Sequence, residues 1–204
     1  SASRILPAPW KPFLSGKQIT LAELLKLQGY RTGIVGKWHL GSDDSTKAAA
    51  QGFDYDRVIG KNGLDYYHYG ITSNNKLIFE DDGTQYLTDK LTDYGVEFIQ
   101  SSKEQPFFLF LTYSAPHVLI VPKAEKLRPY FFSYNSYGGK YNPYYAAMIE
   151  SLDEGVGRIT ETLRLLGLEE NTIVIFTSDN GGVGLPELGP TPTNMEPLRA
   201  WKGH

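Results

Sequence analysis

Three times along this chain a helical pattern gives way to a short apolar run that ends in polar side chains, and that alternation is what most constrains its fold. The first instance begins at Thr20. Thr20-Leu21-Ala22-Glu23 is a capping box, in which a hydroxyl and a carboxylate reciprocally satisfy free amides of a first helical turn. The helix continues through Leu24, Leu25 and Leu27, Gly29 stops it, and residues 32–35 follow at once as an apolar strand. In the second instance residues 88–101 read as a helix, with Leu91, Val96, Phe98 and Ile99 among its apolar positions. From Pro106 a continuously apolar strand runs over 107–113, as strands covered on both faces tend to do. The third is a long helix whose apolar stripe is Met148, Leu152, Val156, Ile159, Leu163 and Leu166. Gly167 ends it, and residues 171–178 (NTIVIFTS) read as another buried strand. Helices alternating with apolar strands predict an α/β fold, a mostly parallel sheet sandwiched by helices.

The intervening stretches are less regular. Residues 1–17 are Pro-rich loop, 42–82 are irregular with turns at Gly52-Phe53-Asp54 and Asn62-Gly63, and 118–141 form a long aromatic loop. A net charge of -3 with no basic run gives no reason to expect nucleic acid as a partner. No cysteine is present, which excludes disulfides and thiolate metal sites within the chain. No signal peptide or membrane-length apolar run is visible. The chain opens at Ser1 without a methionine and stops in mid-loop at Lys202-Gly203-His204, so both ends read as cuts in a longer protein. The tyrosines cluster at Tyr66-Tyr67-His68-Tyr69 and again between Tyr130 and Tyr145. Such clusters suit sugar-contacting surfaces and equally suit cores with a polar edge.

Each apolar run delivers its polar residues to one place. Ligands of open parallel sheets bind beyond the carboxyl ends of the strands, and there this sequence carries Lys37 and His39, then His117, then Asp179 and Asn180. In an extended backbone Lys37 and His39 face one side together, with Trp38 on the other. Asp179 and Asn180 offer hard oxygen donors, which suit Ca²⁺ or Mg²⁺, although Asp-Asn-Gly-Gly also reads as a plain Asx turn. His117 is either a general acid or base or a loop histidine held by backbone contacts, and Lys202 and Arg4 are unremarkable in isolation. Together, a cation site, lysines, an arginine and histidines suit a tetrahedral anion whose leaving oxygen is protonated by a histidine. No residue is clearly placed as the nucleophile.

These residues carry a family resemblance. GYRTGIVGKWHLG, residues 29–41, resembles the second signature of the type I, formylglycine-dependent sulfatases of the alkaline phosphatase superfamily. The likeness continues through Gly52-Phe53-Asp54, through PFFLFLTYSAPH up to His117, through 145–182, and through PLRAWKG at 197–203. Ser1-Ala2-Ser3-Arg4 is similar to the end of the motif in which a Cys or Ser is oxidised to formylglycine, which would place that residue one position before Ser1. After Arg4, Ile5-Leu6-Pro7-Ala8 departs from the family pattern, and Trp201 stands where a small residue is usual.

The resemblance implies an alkaline-phosphatase-like catalytic domain, here partial over residues 1–204, with the first strand and a C-terminal subdomain outside the chain. It implies hydrolysis of sulfate monoesters, with a sulfated carbohydrate favoured by the tyrosine-rich loops and by His68. The alternatives are a phosphodiesterase or phosphonate hydrolase of the same superfold, or an inactive homologue that binds sulfated glycans. Carried over residue by residue, Asp179 and Asn180 would bind Ca²⁺ in preference to Mg²⁺, and Arg4 would hold the formylglycine. Lys37 and Lys202 would bind sulfate oxygens, His39 would sit by the formylglycine hydroxyl, and His117 would protonate the leaving alcohol with Lys202 assisting. A formylglycine-generating, sulfatase-maturing enzyme is the implied protein partner, and export to periplasm, lysosome or the cell exterior is the implied location.

Overall fold

The computed structural model describes residues 11–60, 65–136 (backbone alone at 133–136), 142–182, Thr193, Pro197 and Lys202. The capping box forms as its residues dictate: the Glu23 amide donates to the Thr20 hydroxyl at 3.1 Å and the Thr20 amide to the Glu23 carboxylate at 2.7 Å. Helix α1, Leu21–Leu27, closes in a Schellman turn. There Gly29, at φ 82°, donates to the Lys26 carbonyl, and Tyr30 donates to the Leu25 carbonyl. The chain turns directly into β1, Arg31–Gly36, buried from Thr32 onward.

Strand β1 is the middle of the sheet's parallel half. It pairs in parallel with β2, Tyr55–Ile59, on one side and with β5, Phe107–Thr112, on the other. Beyond β2, β3 (Gly70–Ser73) and β4 (Lys76–Glu80) continue the sheet antiparallel, giving the order β4-β3-β2-β1-β5. The α/β expectation therefore holds, and the described sheet is mixed, parallel only across β2-β1-β5. Residues 42–82, expected to be irregular, contain three of the five strands. The overlooked hairpin turns at Asn74-Asn75, both at positive φ, the backbone conformation that two-residue hairpin loops require.

Alternation along β1 builds a core on each face. Val35 points to one side with Ile71, Leu91, Phe98 and Met148; its neighbour Ile34 points to the other with Ala22, Ala48 and Phe53. The first face is covered by α2, Leu87–Ser102, and by α4, Pro143–Leu165, whose N-terminus is capped by the Asn142 side chain. The two helices approach closely at Gly155, where a Cβ would stand 2.7 Å from the Thr92 hydroxyl, itself 2.7 Å from the Tyr113 hydroxyl.

Two expectations fail. Residues 118–141 are not loop throughout, since Ala124–Ser136 forms α3. Its interior Pro129 hid it, and packing on α4 sustains it through Lys126, which bonds Glu150 at 2.9 Å and also Glu154. Residues 171–178 are not a buried strand either. Glu169–Asn171 is a 3₁₀ turn, and the next residues run outside the described sheet, with Ile173 89% and Ile175 80% exposed. The β-branched composition favours extension, but a strand also needs a ladder partner, and no described residue provides one.

The tightest contact in the sheet lies at the end of β1. Gly36, at φ 118°, sits where a Cβ would meet the Thr112 carbonyl oxygen at 2.0 Å. Gly36→Ala should therefore destabilise by about 3 kcal/mol or more, against about 1 kcal/mol for loss of the cap in Thr20→Ala. Urea denaturation checks this, and equal, small losses would contradict the close approach.

Candidate active site

Because β1 and β5 are parallel neighbours, their carboxyl ends leave the sheet at one edge. Lys37 continues the ladder past β1: its amide donates to the Thr112 carbonyl at 2.8 Å, and the Thr112 hydroxyl donates to the Lys37 carbonyl at 2.7 Å. The main chain is held on both sides, while the half-buried ammonium engages no described residue. Trp38 turns away as expected; its indole N–H donates to the Thr46 carbonyl at 2.9 Å and its ring meets Phe53 edge-on. His39 does not follow by strand alternation. Its φ of 49° is left-handed, so the extended backbone ends before it and the imidazole is exposed.

His117 lies just beyond β5. Its amide donates to the Ser114 carbonyl at 2.9 Å, and its own carbonyl accepts from the Tyr66 hydroxyl at 3.0 Å. Its Nδ1 lies 2.6 Å from the Val118 carbonyl oxygen. A carbonyl only accepts, so Nδ1 carries the proton and Nε2 is the nitrogen left for chemistry. Tyr66 is 1% exposed and Tyr86 3%; burial raises both hydroxyls above the usual tyrosine range and keeps them as donors. The Tyr66–Tyr69 cluster is thus core with a polar edge rather than an open sugar-contacting surface. His68 lies on the same turn but is exposed, 3.5 Å from Asp65, and touches neither Lys37 nor His117. Sequence reasoning missed Tyr66 and Tyr86 as supports of His117, although the tyrosine cluster was the available signal.

The remaining candidates meet elsewhere. The Lys202 amide donates to the Gly182 carbonyl at 3.0 Å, tying residue 202 to the Asp179–Gly182 loop across a long stretch of sequence. Within that loop the Ser178 hydroxyl donates to the Asn180 backbone carbonyl, and the Asn180 amide donates to the Gly181 carbonyl. The Asp179 carboxylate is exposed and engages no described residue. These oxygens have the hardness a Ca²⁺ or Mg²⁺ prefers, and they are too few to enclose one. No group of three or more His, Cys, Asp or Glu side chains converges among the described residues. Arg4 and Trp201 lie outside the described residues. The structure brings Lys37 together with the His117 segment, and Lys202 together with Asp179 and Asn180. No described contact joins the two groups, because residues 172–178 stand apart from the sheet.

The fold has counterparts among known proteins. The chain is 33% identical over 199 residues to the uncharacterized sulfatase YdeN of Escherichia coli K12, an alignment covering 85% of this chain and 34% of that protein. It is 32% identical over 178 residues to the N-acetylgalactosamine-6-sulfatase of Mus musculus, covering 79% of this chain and 32% of the other. In structure it resembles the crystal structure of Ps i-CgsB in complex with k-i-k-neocarrahexaose, with a TM-score of 0.79 and 28% identity, over 98% of this chain and 47% of that one. The chain thus spans about a third of these curated relatives and about half of the structural one. Its fold is that of the alkaline-phosphatase-like sulfatases. The family model described as Sulfatase matches residues 3–199, and the chain belongs to the sulfatase family.

Proposed function

We propose that the protein hydrolyses sulfate monoesters and that its substrate is a sulfated carbohydrate. One observation carries this reading. A cation with no partner among the described residues, Lys37, and a histidine with a defined tautomer, His117, follow adjacent parallel strands at one sheet edge, within a chain the sulfatase family model matches almost throughout. The carbohydrate is supported by relatives named N-acetylgalactosamine-6-sulfatase and by a structural neighbour described in complex with neocarrahexaose.

In this proposal Lys37 and Lys202 lie against sulfate oxygens and neutralise charge that persists through the reaction. Asp179 and Asn180 would contribute oxygens to a Ca²⁺, Arg4 would hold a formylglycine matured from the residue before Ser1 by a partner enzyme, and His39 would lie beside it. Those two groups would supply electrostatic stabilisation of the sulfate and a hydroxyl that attacks sulfur. His117 governs the other end of the bond. As the sulfur–ester oxygen bond breaks, its electron pair stays on that oxygen. Protonated His117 passes its Nε2 proton there, so the alcohol leaves neutral. The second proton stays on Nδ1, donated to the Val118 carbonyl throughout, so the imidazole returns to one tautomer.

Sugar alcohols are poor leaving groups, and activated phenols are good ones. In the full-length protein His117→Ala should lower kcat/KM on a sulfated sugar by about 10²–10⁴-fold and on an activated aryl sulfate far less. Equal losses on both would remove His117 as the acid. Wild-type protein that preferred aryl phosphate diesters to aryl sulfates would overturn the reaction class.

Prolonged incubation with excess chelator should abolish turnover, and Ca²⁺ should restore it. Undiminished turnover in metal-depleted protein, verified by elemental analysis, would overturn the metal assignment.

A further inference from the structure

We infer that Tyr66 and Tyr86 are positioning residues that hold His117 in its reactive orientation by gripping the backbone on either side of the loop tip. The inference rests on the reading of His117 as the acid. After β5 the chain stays buried at Ser114 and Ala115, rises through His117 to an exposed tip at Val118 and Leu119, and returns to the core at Ile120 and Val121. Nothing packs over the tip among the described residues, so the ring's direction depends on what fixes the main chain beneath it. Two hydroxyls do so. Tyr66 donates to the His117 carbonyl at 3.0 Å, and Tyr86 donates to the Val121 carbonyl at 2.9 Å.

The two donors form one rigid unit. Their rings stack with centroids 5.5 Å apart and planes 21° from parallel, and the Leu87 amide donates to the Tyr66 carbonyl at 2.9 Å. The Tyr67 ring leans on Tyr86 at 5.3 Å. Lys123 lies over the opposite part of the assembly, 5.6 Å from the Tyr86 centroid and 2.6 Å from the Asp89 carboxylate. Two stacked tyrosines and the carbonyls of His117 and Val121 are therefore one connected network.

The effect on chemistry follows from the tautomer. The Tyr66 bond orients the peptide plane between His117 and Val118, and the Val118 carbonyl in turn accepts from His117 Nδ1 at 2.6 Å. Releasing the His117 carbonyl lets that plane rotate, loosens the Nδ1 contact and leaves Nε2 without a fixed direction. A phenylalanine keeps the ring and its stacking and removes only the grip.

The test is Tyr66→Phe in the full-length protein, alone and combined with His117→Ala, assayed on a sulfated sugar and on an activated aryl sulfate. Alone it should lower kcat on the sugar about 10-fold, with KM within about twofold and a smaller loss on the aryl ester. In the His117→Ala background it should change nothing further. Tyr55→Phe is the control, because Tyr55 is a buried tyrosine of the same core whose hydroxyl bonds the Tyr94 carbonyl away from His117. It should leave the sugar-to-aryl ratio unaltered. The same Tyr66→Phe loss in both backgrounds, or the same shift of ratio in Tyr55→Phe, would overturn positioning and leave the acid role standing. Nitrogen-15 NMR of the imidazoles gives a reading independent of turnover. Tyr66→Phe should move the His117 Nδ1 and Nε2 resonances toward a tautomer mixture. Unmoved resonances would overturn the inference even if no sulfate ester were hydrolysed, and moved resonances in such a protein would retain the geometry while removing the sulfatase reading.

Discussion

At the end of β1 the Gly36 backbone lies so close to Thr112 that no side chain fits between them, and the geometry of the site depends on that approach. The Lys37 amide binds the Thr112 carbonyl and the Thr112 hydroxyl binds the Lys37 carbonyl. Two loops of different chemistry are thereby fastened to each other at their roots. One carries a cation and the other a histidine. For the proposed reaction this fixing at the backbone matters, because preorganised charge acts without the cost of reorganising during the reaction.

The two faces of the sheet divide the work. On one side α1, the Phe53 turn and Trp38 hold β1 from below, and the Trp38 indole bond to Thr46 ties down the start of the loop that bears His39. On the other, α2 and α4 press against each other so closely that Gly155, Thr92 and Tyr113 share one contact. Tyr113 is the last residue before Ser114, so the helix crossing reaches the entry of the His117 loop directly. Substitutions at that crossing act on the loop through packing, a physical route distinct from the tyrosine hydroxyls.

What the sequence disclosed was what short stretches determine on their own. The Thr20 capping box, the Gly29 and Gly167 stops and the apolar stripe of α4 have local causes, and each is present. The hidden elements depend on distant partners. Helix α3 contains Pro129 and is held by Lys126 reaching across to α4, which no local pattern announces. The β3–β4 hairpin has strands too short to alternate clearly, although Asn74-Asn75 was a legible turn. The run at 173–176 has strand composition without a described partner, so its apolar side chains are exposed. At the site, Lys37 and His117 were legible as strand ends, whereas His39 was not, because one left-handed residue breaks the alternation on which the inference rested.

The aromatic content changes meaning in the same way. Clustered tyrosines suggest a surface for sugars when seen only as composition, and a phenol ring does stack well on a sugar face. Burial decides against that role for Tyr66, Tyr69 and Tyr86, whose rings are enclosed in the core. A phenylalanine would fill the same space, so it is the hydroxyls that need an explanation. Two of the three end on backbone carbonyls of one loop, and that loop presents the one histidine among the described residues whose tautomer is fixed by its own neighbour. A donor buried beneath an exposed loop does what packing from above cannot. It orients the main chain while leaving the imidazole accessible, which is the geometry that the proposed role of His117 as general acid requires.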